Sequence, residues 1–143
     1  LTFEEVQGMF DAKNVNFKDL PDGEPLKQAS SDGRGFAVSG GVAAAVVKAL
    51  NRMDPSRTVK VVSAEGLANC KKMMQLAKAG KYNGYLLEGM ACPGGCVAGA
   101  GTIQIIKKAS AALDKMKKEA AFEEASDSKY QSRLESLEKL DLE

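Results

Sequence analysis

Apolar residues recur at helical spacing along some stretches of this chain and gather with β-branched residues in others, and the alternation of the two patterns lays out its elements. Phe3, Val6, Met9 and Phe10 share one helical face, Thr2 stands where a cap belongs and Glu5 follows three positions later. Residues 2–12 are therefore predicted to form a short helix that ends before Asn14. Across residues 19–34 the pattern dissolves into Pro21, Gly23, Pro25, Gly33 and polar residues, which predicts a loop. Residues 36–39 read as a short strand or extended approach. Gly40-Gly41 then opens an alanine- and valine-rich helix running to about Met53, where Asp54-Pro55 stops it.

The β-branched run over residues 58–63 predicts a strand, residues 65–79 a helix closed by Gly80, and residues 82–90 a second strand. A strand, helix, strand succession crosses over right-handedly and makes its two strands parallel. A glycine-rich loop then leads into a long helix over residues 102–121. A last helix over residues 128–140 places Tyr130, Leu134, Leu137 and Leu140 on one stripe. The expected fold class is α/β, a small parallel, Rossmann-like sheet with flanking helices. With 143 residues, 44% hydrophobic and 27% charged, the chain suits one domain over 1–143, with 122–143 as a C-terminal helical extension.

Composition then removes function classes. Lys+Arg 20 against Asp+Glu 19 leaves a net charge of +1, so no nucleic acid or anionic membrane is expected as a partner. The longest apolar stretches, 42–50 and 103–106, fall far short of the roughly 20 residues of a membrane span. No signal peptide follows Leu1, and three cysteines without secretory features fit a reducing compartment, so a cytoplasmic location is expected. A start at Leu1 rather than Met reads as a piece of a longer protein. Histidine is absent from the sequence, which excludes a Ser-His-Asp triad, a Cys-His pair and His-ligated zinc within the chain.

Candidate chemistry concentrates in Met90-Ala91-Cys92-Pro93-Gly94-Gly95-Cys96-Val97-Ala98-Gly99-Ala100-Gly101, between a predicted strand end and a predicted helix start, where α/β folds bind ligands. Cys92 and Cys96 can converge on one inorganic centre, and Pro93-Gly94-Gly95 supplies a bend with little bulk. Gly99 and Gly101 let backbone N–H groups approach an anion at the helix start. A thiolate-bound iron-sulfur cluster is an anion of this kind. On spacing alone, two small residues in a tight metal-free turn are an equal reading. Two others stay open: a non-catalytic α/β module whose Gly-rich loop takes an anionic ligand or a protein partner, and a thiol redox protein with a reversible Cys92–Cys96 disulfide. Cys70 shares an apolar stripe with Leu67, Met74 and Ala77 and reads as a small packed residue. Lys107, Lys108, Lys115, Lys117 and Lys118, followed by Glu119, Glu123 and Glu124, read as a solvated face.

The flanking residues carry a resemblance. Glu88-Gly89-Met90-Ala91-Cys92-Pro93-Gly94-Gly95-Cys96 with its glycine-rich tail resembles the third signature of the iron-only (FeFe) hydrogenases, a Met-Ala-Cys-x-x-Gly-Cys core. Phe36-Ala37-Val38-Ser39-Gly40-Gly41-Val42-Ala43-Ala44-Ala45 is similar to the family's Phe-Gly-x-Thr/Ser-Gly-Gly-Val-x-x-Ala segment, and Glu65-Gly66-Leu67-Ala68-Asn69 to its Gly-Leu-x-Asn helix start. Together these cover about residues 33–110. The tail reads Gly99-Ala100-Gly101-Thr102 where many members have three glycines followed by Gln-Pro, which suits a divergent subgroup.

The resemblance implies one lobe of a two-lobed catalytic domain. That domain holds the H-cluster, a 4Fe-4S cubane joined through one cysteine to a diiron subcluster with CO, CN and a bridging dithiolate, and interconverts protons, electrons and H2. It implies Cys92 as a cubane ligand, Cys96 as the cysteine bridging cubane to diiron, Met90 beside the diiron subcluster, and Ser39, Gly40, Gly41 and Val42 approaching from a neighbouring loop. A cubane held only by protein thiolates takes four, and this loop offers two. The expectation is a C-terminal lobe that supplies two ligands, and that is apo and inactive alone. Its expected partners are the N-terminal lobe of the same parent chain and, in the parent, electron-carrier domains or ferredoxin. Such a lobe exposes apolar surface through which it could also dimerise.

Overall fold

A computed structural model describes residues 1–23 and 27–128. The helix expected over 128–140, and with it the extension beyond residue 128, lies outside the described residues. Seven elements follow one another: α1 (Phe3–Ala12), α2 (Ser31–Gly35), α3 (Gly41–Met53), β1 (Lys60–Glu65), α4 (Leu67–Lys78), β2 (Tyr85–Met90) and α5 (Ile106–Lys118). Short 3-10 turns stand at Phe17–Asp19, Cys96–Ala98 and Ala125–Asp127.

The sheet is the expected parallel pair. Lys60 lies opposite Tyr85 and Glu65 opposite Met90, with α4 as the crossover. Both strands begin later than the residue pattern suggests, and β1 runs on through Ala64 and Glu65, so that the helix expected from residue 65 begins at Leu67. Gly84, at φ +77°, turns the chain just before Tyr85, so residues 58 and 59 have no strand to pair with. Two more positive-φ glycines frame α4, Gly66 at +78° on entry and Gly80 at +84° on exit, conformations open to glycine without steric penalty. α1 forms as expected: Glu5 N–H donates to Thr2 Oγ1 at 3.2 Å and Thr2 N–H to Glu5 Oε2 at 2.6 Å, a reciprocal cap.

Three expectations are corrected. The loop over 19–34 ends in a helical turn, α2, because Ser30 Oγ caps it by accepting from Gly33 N–H at 3.0 Å, and Ser31 and Asp32 N–H donate to Phe122 and Glu123 carbonyls at 2.7 and 3.0 Å. Residues 36–39 form no strand: Phe36 is right-handed helical at φ −60° and ψ −25°, and the segment turns directly into α3. The long helix begins at Ile106 and not at residue 102, since Ile105 is extended at ψ 139° and Thr102 Oγ1 bonds back to Gly99 O at 2.9 Å.

Burial is concentrated in one seam. Ala43 and Met73 are the buried apolar side chains among the described residues, and Ser30, Gly35, Glu88 and Gly95 are buried as well. Five of these six residues lie in the packing of α2, α3 and the segments next to the sheet's C-terminal end. Large apolar residues elsewhere face outward, Met53 at 82% and Leu67 at 74% exposure among them. No described helix is long and apolar enough to cross a membrane.

Candidate metal centre

The cysteine loop leaves β2 at Met90 and is held from three directions. Gly94 N–H donates to Glu65 Oε2 at 2.9 Å, which ties the loop to the end of β1. Ser39 N–H donates to Gly94 O at 3.3 Å and Val97 N–H to Ala37 O at 3.1 Å, so the segment before α3 and the cysteine loop are zipped backbone to backbone. At that seam Gly95 adopts φ +92° and ψ −162°, and a Cβ there would stand 2.6 Å from Ser39 N and 2.7 Å from Ala37 O. Only glycine admits so close an approach in that conformation.

Cys92 is half-buried, Cys96 exposed, and both are free thiols. They meet at Gly99. A Cβ on that glycine would lie 4.0 Å from Cys92 Sγ, and Gly99 shares with Cys96 the lining of a cavity of about 320 Å³. The same cavity is bounded by Leu1, Thr2, Phe3 and Val6 of the α1 region and by Ala100 and Thr102. Thr2 rests on Gly101, at φ +80°, where a Cβ would stand 2.5 Å from the threonine Cβ. Met90 is half-buried at the end of β2, its carbonyl accepting from Gly66 N–H at 2.9 Å. Ser39 lies across the seam from Gly94 and Gly95, while Gly40 and Gly41 follow it into α3, Gly41 packing on Gly35.

Two cysteines on one glycine-rich loop, both bordering Gly99, suit a partial ligand set for a cluster. They do not make a complete one: among the described residues no three Cys, Asp, Glu or His side chains come together. Cys70 stays apart under β2, its Sγ 3.5 Å from the Ala64 and Met90 carbonyls.

One part of the glycine reading changes. Gly99 and Gly101 do not stand at a helix start, because α5 begins at Ile106, and Gly99 N–H is already bonded to Cys96 O at 3.0 Å. Their service to the site is space rather than donated hydrogen bonds.

Reading the residues alone gave no role to Glu88 or Glu65. Glu88 is 8% exposed, and its carboxylate accepts from Gly40 N–H at 2.6 Å and Ala43 N–H at 3.0 Å, capping α3 from across the sheet. The signal was present in Tyr-Leu-Leu-Glu-Gly-Met, a single acid inside an apolar strand.

Comparison with known proteins bears on this loop directly. The family described as iron only hydrogenase large subunit, C-terminal domain, matches residues 1–100. The chain is 32% identical over 130 residues to the periplasmic [Fe] hydrogenase large subunit of Nitratidesulfovibrio vulgaris, covering 71% of this chain and 31% of that protein. It is 25% identical over 148 residues to the NADP-reducing hydrogenase subunit HndD of Solidesulfovibrio fructosivorans, covering 79% of this chain and 25% of that subunit. The aligned region thus spans less than a third of either relative.

Proposed function

The chain belongs to the iron-only hydrogenase large-subunit family, in its C-terminal domain, and from that premise we propose that it forms one wall of a hydrogenase catalytic site and contributes two cysteine ligands to an H-cluster. Cys92 and Cys96 would be the two thiolates this chain gives the cluster, Cys92 to its 4Fe-4S part and Cys96 between that part and the diiron part. Met90 would line the diiron side, with Ser39 to Val42 on the neighbouring loop. The observation that carries this reading is that Cys92 and Cys96 stand on one loop whose backbone is fastened to residues 37–39 through Ser39 N–H to Gly94 O and Val97 N–H to Ala37 O.

When bound, the cluster supplies the redox chemistry that interconverts protons, electrons and H2. The residues of this chain bind and orient. Gly94 and Gly95 let the loop pack closely on Ile106 and on residues 37–39, Glu65 fixes the loop to the sheet, and Met90 and Val42 present apolar surface that would limit water. The parent protein is an oxidoreductase, and this chain alone is apo and inactive because two thiolates are half of what a cubane takes. The remaining ligands come from the N-terminal lobe of the parent, which also connects the site to electron-carrier domains or ferredoxin. The compartment we propose is the cytoplasm, on the strength of three cysteines without secretory features.

Iron and sulfide analysis after anaerobic reconstitution tests the proposal. The chain alone is expected to hold far less than one cluster and to evolve no H2, whereas the full-length protein loads a cluster and loses it on Cys92→Ser or Cys96→Ser. A near-stoichiometric, H2-evolving cluster in the chain alone overturns the shared site. A full-length protein indifferent to both substitutions overturns the ligand assignment.

A further inference from the structure

We propose that Glu88 is a positioning residue of this centre: its carboxylate fixes the segment carrying Ser39 to Val42 relative to the cysteine loop, and so sets the spacing between the two walls of the site. The proposal rests on the reading of the loop as a metal centre. Acids are almost never buried without partners, and both oxygens of Glu88 are taken by backbone N–H groups at the start of α3. Helix starts leave such donors without intrahelical partners, and the dipole there favours an anion. Gly40, the residue preceding α3, has no side chain to cap it and lies at φ +87°. The cap therefore comes from sequence 48 residues away.

The strand geometry makes this more than a helix cap. Glu88 lies on the same strand as Met90 and just before Cys92, so the α3 entrance and the cysteine loop hang from one rigid element. Glu65, opposite Met90 in the register, grips Gly94 from the neighbouring strand. Two carboxylates, one from each strand, thus hold the two loops, while Ser39 and Val97 N–H groups close them on each other. Loss of the Glu88 carboxylate leaves that contact anchored on the cysteine side only. Gly40 and Ala43 N–H are then buried or half-buried without acceptors, and charge-assisted bonds of this kind are the stronger class.

The test uses the full-length protein that carries this chain, with Glu88→Ala and Glu88→Gln. Hydrogen exchange across residues 36–46 is expected to rise roughly tenfold or more in Glu88→Ala, with residues 60–65 unchanged, and to rise less in Glu88→Gln, which keeps one acceptor. In cluster-loaded protein the infrared bands of the CO and CN ligands are expected to shift in Glu88→Ala and to return towards their original positions in Glu88→Gln. Exchange that stays unchanged over 36–46, or that rises equally over 60–65, overturns the proposal, as do unshifted infrared bands. Where Glu88→Ala does not accumulate, Glu88→Gln decides on the same two readouts. An unsubstituted protein that loads no cluster overturns the metal-centre reading, and with it the positioning role, whatever the exchange result shows about the loop.

Discussion

Gly95 is the residue where the site tolerates least change. Its φ of +92° with ψ −162° is a region essentially reserved for glycine, and its missing Cβ leaves the room in which Ser39 N and Ala37 O approach. Gly95→Ala is expected to destabilise the protein by on the order of 3 kcal/mol, since backbone on both sides would have to move. Gly8→Ala supplies the contrast: nothing lies within 4 Å of the added methyl, and replacing a helical glycine stabilises by up to about 1 kcal/mol. Denaturant midpoints of the two variants measure this, and a Gly95→Ala protein as stable as the original would remove the close seam from the account. Motif reading picked out Gly95 for its lack of bulk, and the structure shows where that lack is used. It could not assign Glu88, because the partners of that acid lie 45 and 48 residues away in sequence. A buried carboxylate reads only as an odd residue in a strand until the helix start above it is known.

Elements defined by local signals came out of the sequence well. The β1, α4, β2 unit is punctuated by its own glycines, and the α1 cap by Thr2 and Glu5. α2 was hidden, because Ser-Asp-Gly-Arg-Gly has the composition of a loop and its turn is fixed from a distance, by Phe122 and Glu123 carbonyls and by a bond from Arg34 to the Met116 carbonyl. The segment 122–128 is clamped in turn by α3. Lys48 pairs with Asp32 and Glu123 at 3.1 and 3.0 Å, and Arg52 with Glu124 and Asp127 at 2.9 and 3.1 Å. The Glu124 N–H, and after it Arg52, hold the Asp127 carboxyl below its ordinary range, while bonds to Glu123 and then Asp32 raise the Lys48 ammonium above its own. A depressed carboxyl stabilises above its ordinary value, about 3.9, and loses that contribution as pH falls through the lowered value. A raised amine stabilises below its ordinary value and loses that contribution as pH rises through the raised one. The contributions of Asp127 and Lys48 should therefore both be present across the neutral range, that of Asp127 being lost in acid below the usual aspartate titration and that of Lys48 in strong alkali. Amide exchange at 125–127 compared with 60–65 follows them, and release of the segment near neutral pH would contradict the assignment. The Arg52 side chain is solvent-exposed, so Arg52→Ala should free the segment with little change in global stability.

At the scale of the molecule, the distribution of burial governs behaviour. A domain of this length ordinarily closes around a contiguous apolar core, whereas here Ala43 and Met73 are the buried apolar side chains among the described residues. Packing is tightest where glycines let backbones touch, at Gly41 against Gly35 and Gly95 against Ser39, that is, around the candidate centre. Val46, Val61, Leu67, Met74, Ile103, Ile105 and Ile106 face outward instead. Contiguous apolar surface beyond a few hundred Å² marks a face that is normally covered, and the curated relatives extend well beyond the region aligned to this chain, which covers 31% and 25% of their lengths. If the proposed two-lobed arrangement holds, the chain produced alone should bind a hydrophobic dye and associate as its concentration rises, and adding the proposed N-terminal lobe in trans should suppress both. Light scattering behind size exclusion, with dye fluorescence across a dilution series, reads the two effects together. A monomer that stays dark at high concentration would mean that the outward apolar residues form no connected face, and the two-lobed arrangement would then have to rest on the cysteine count alone.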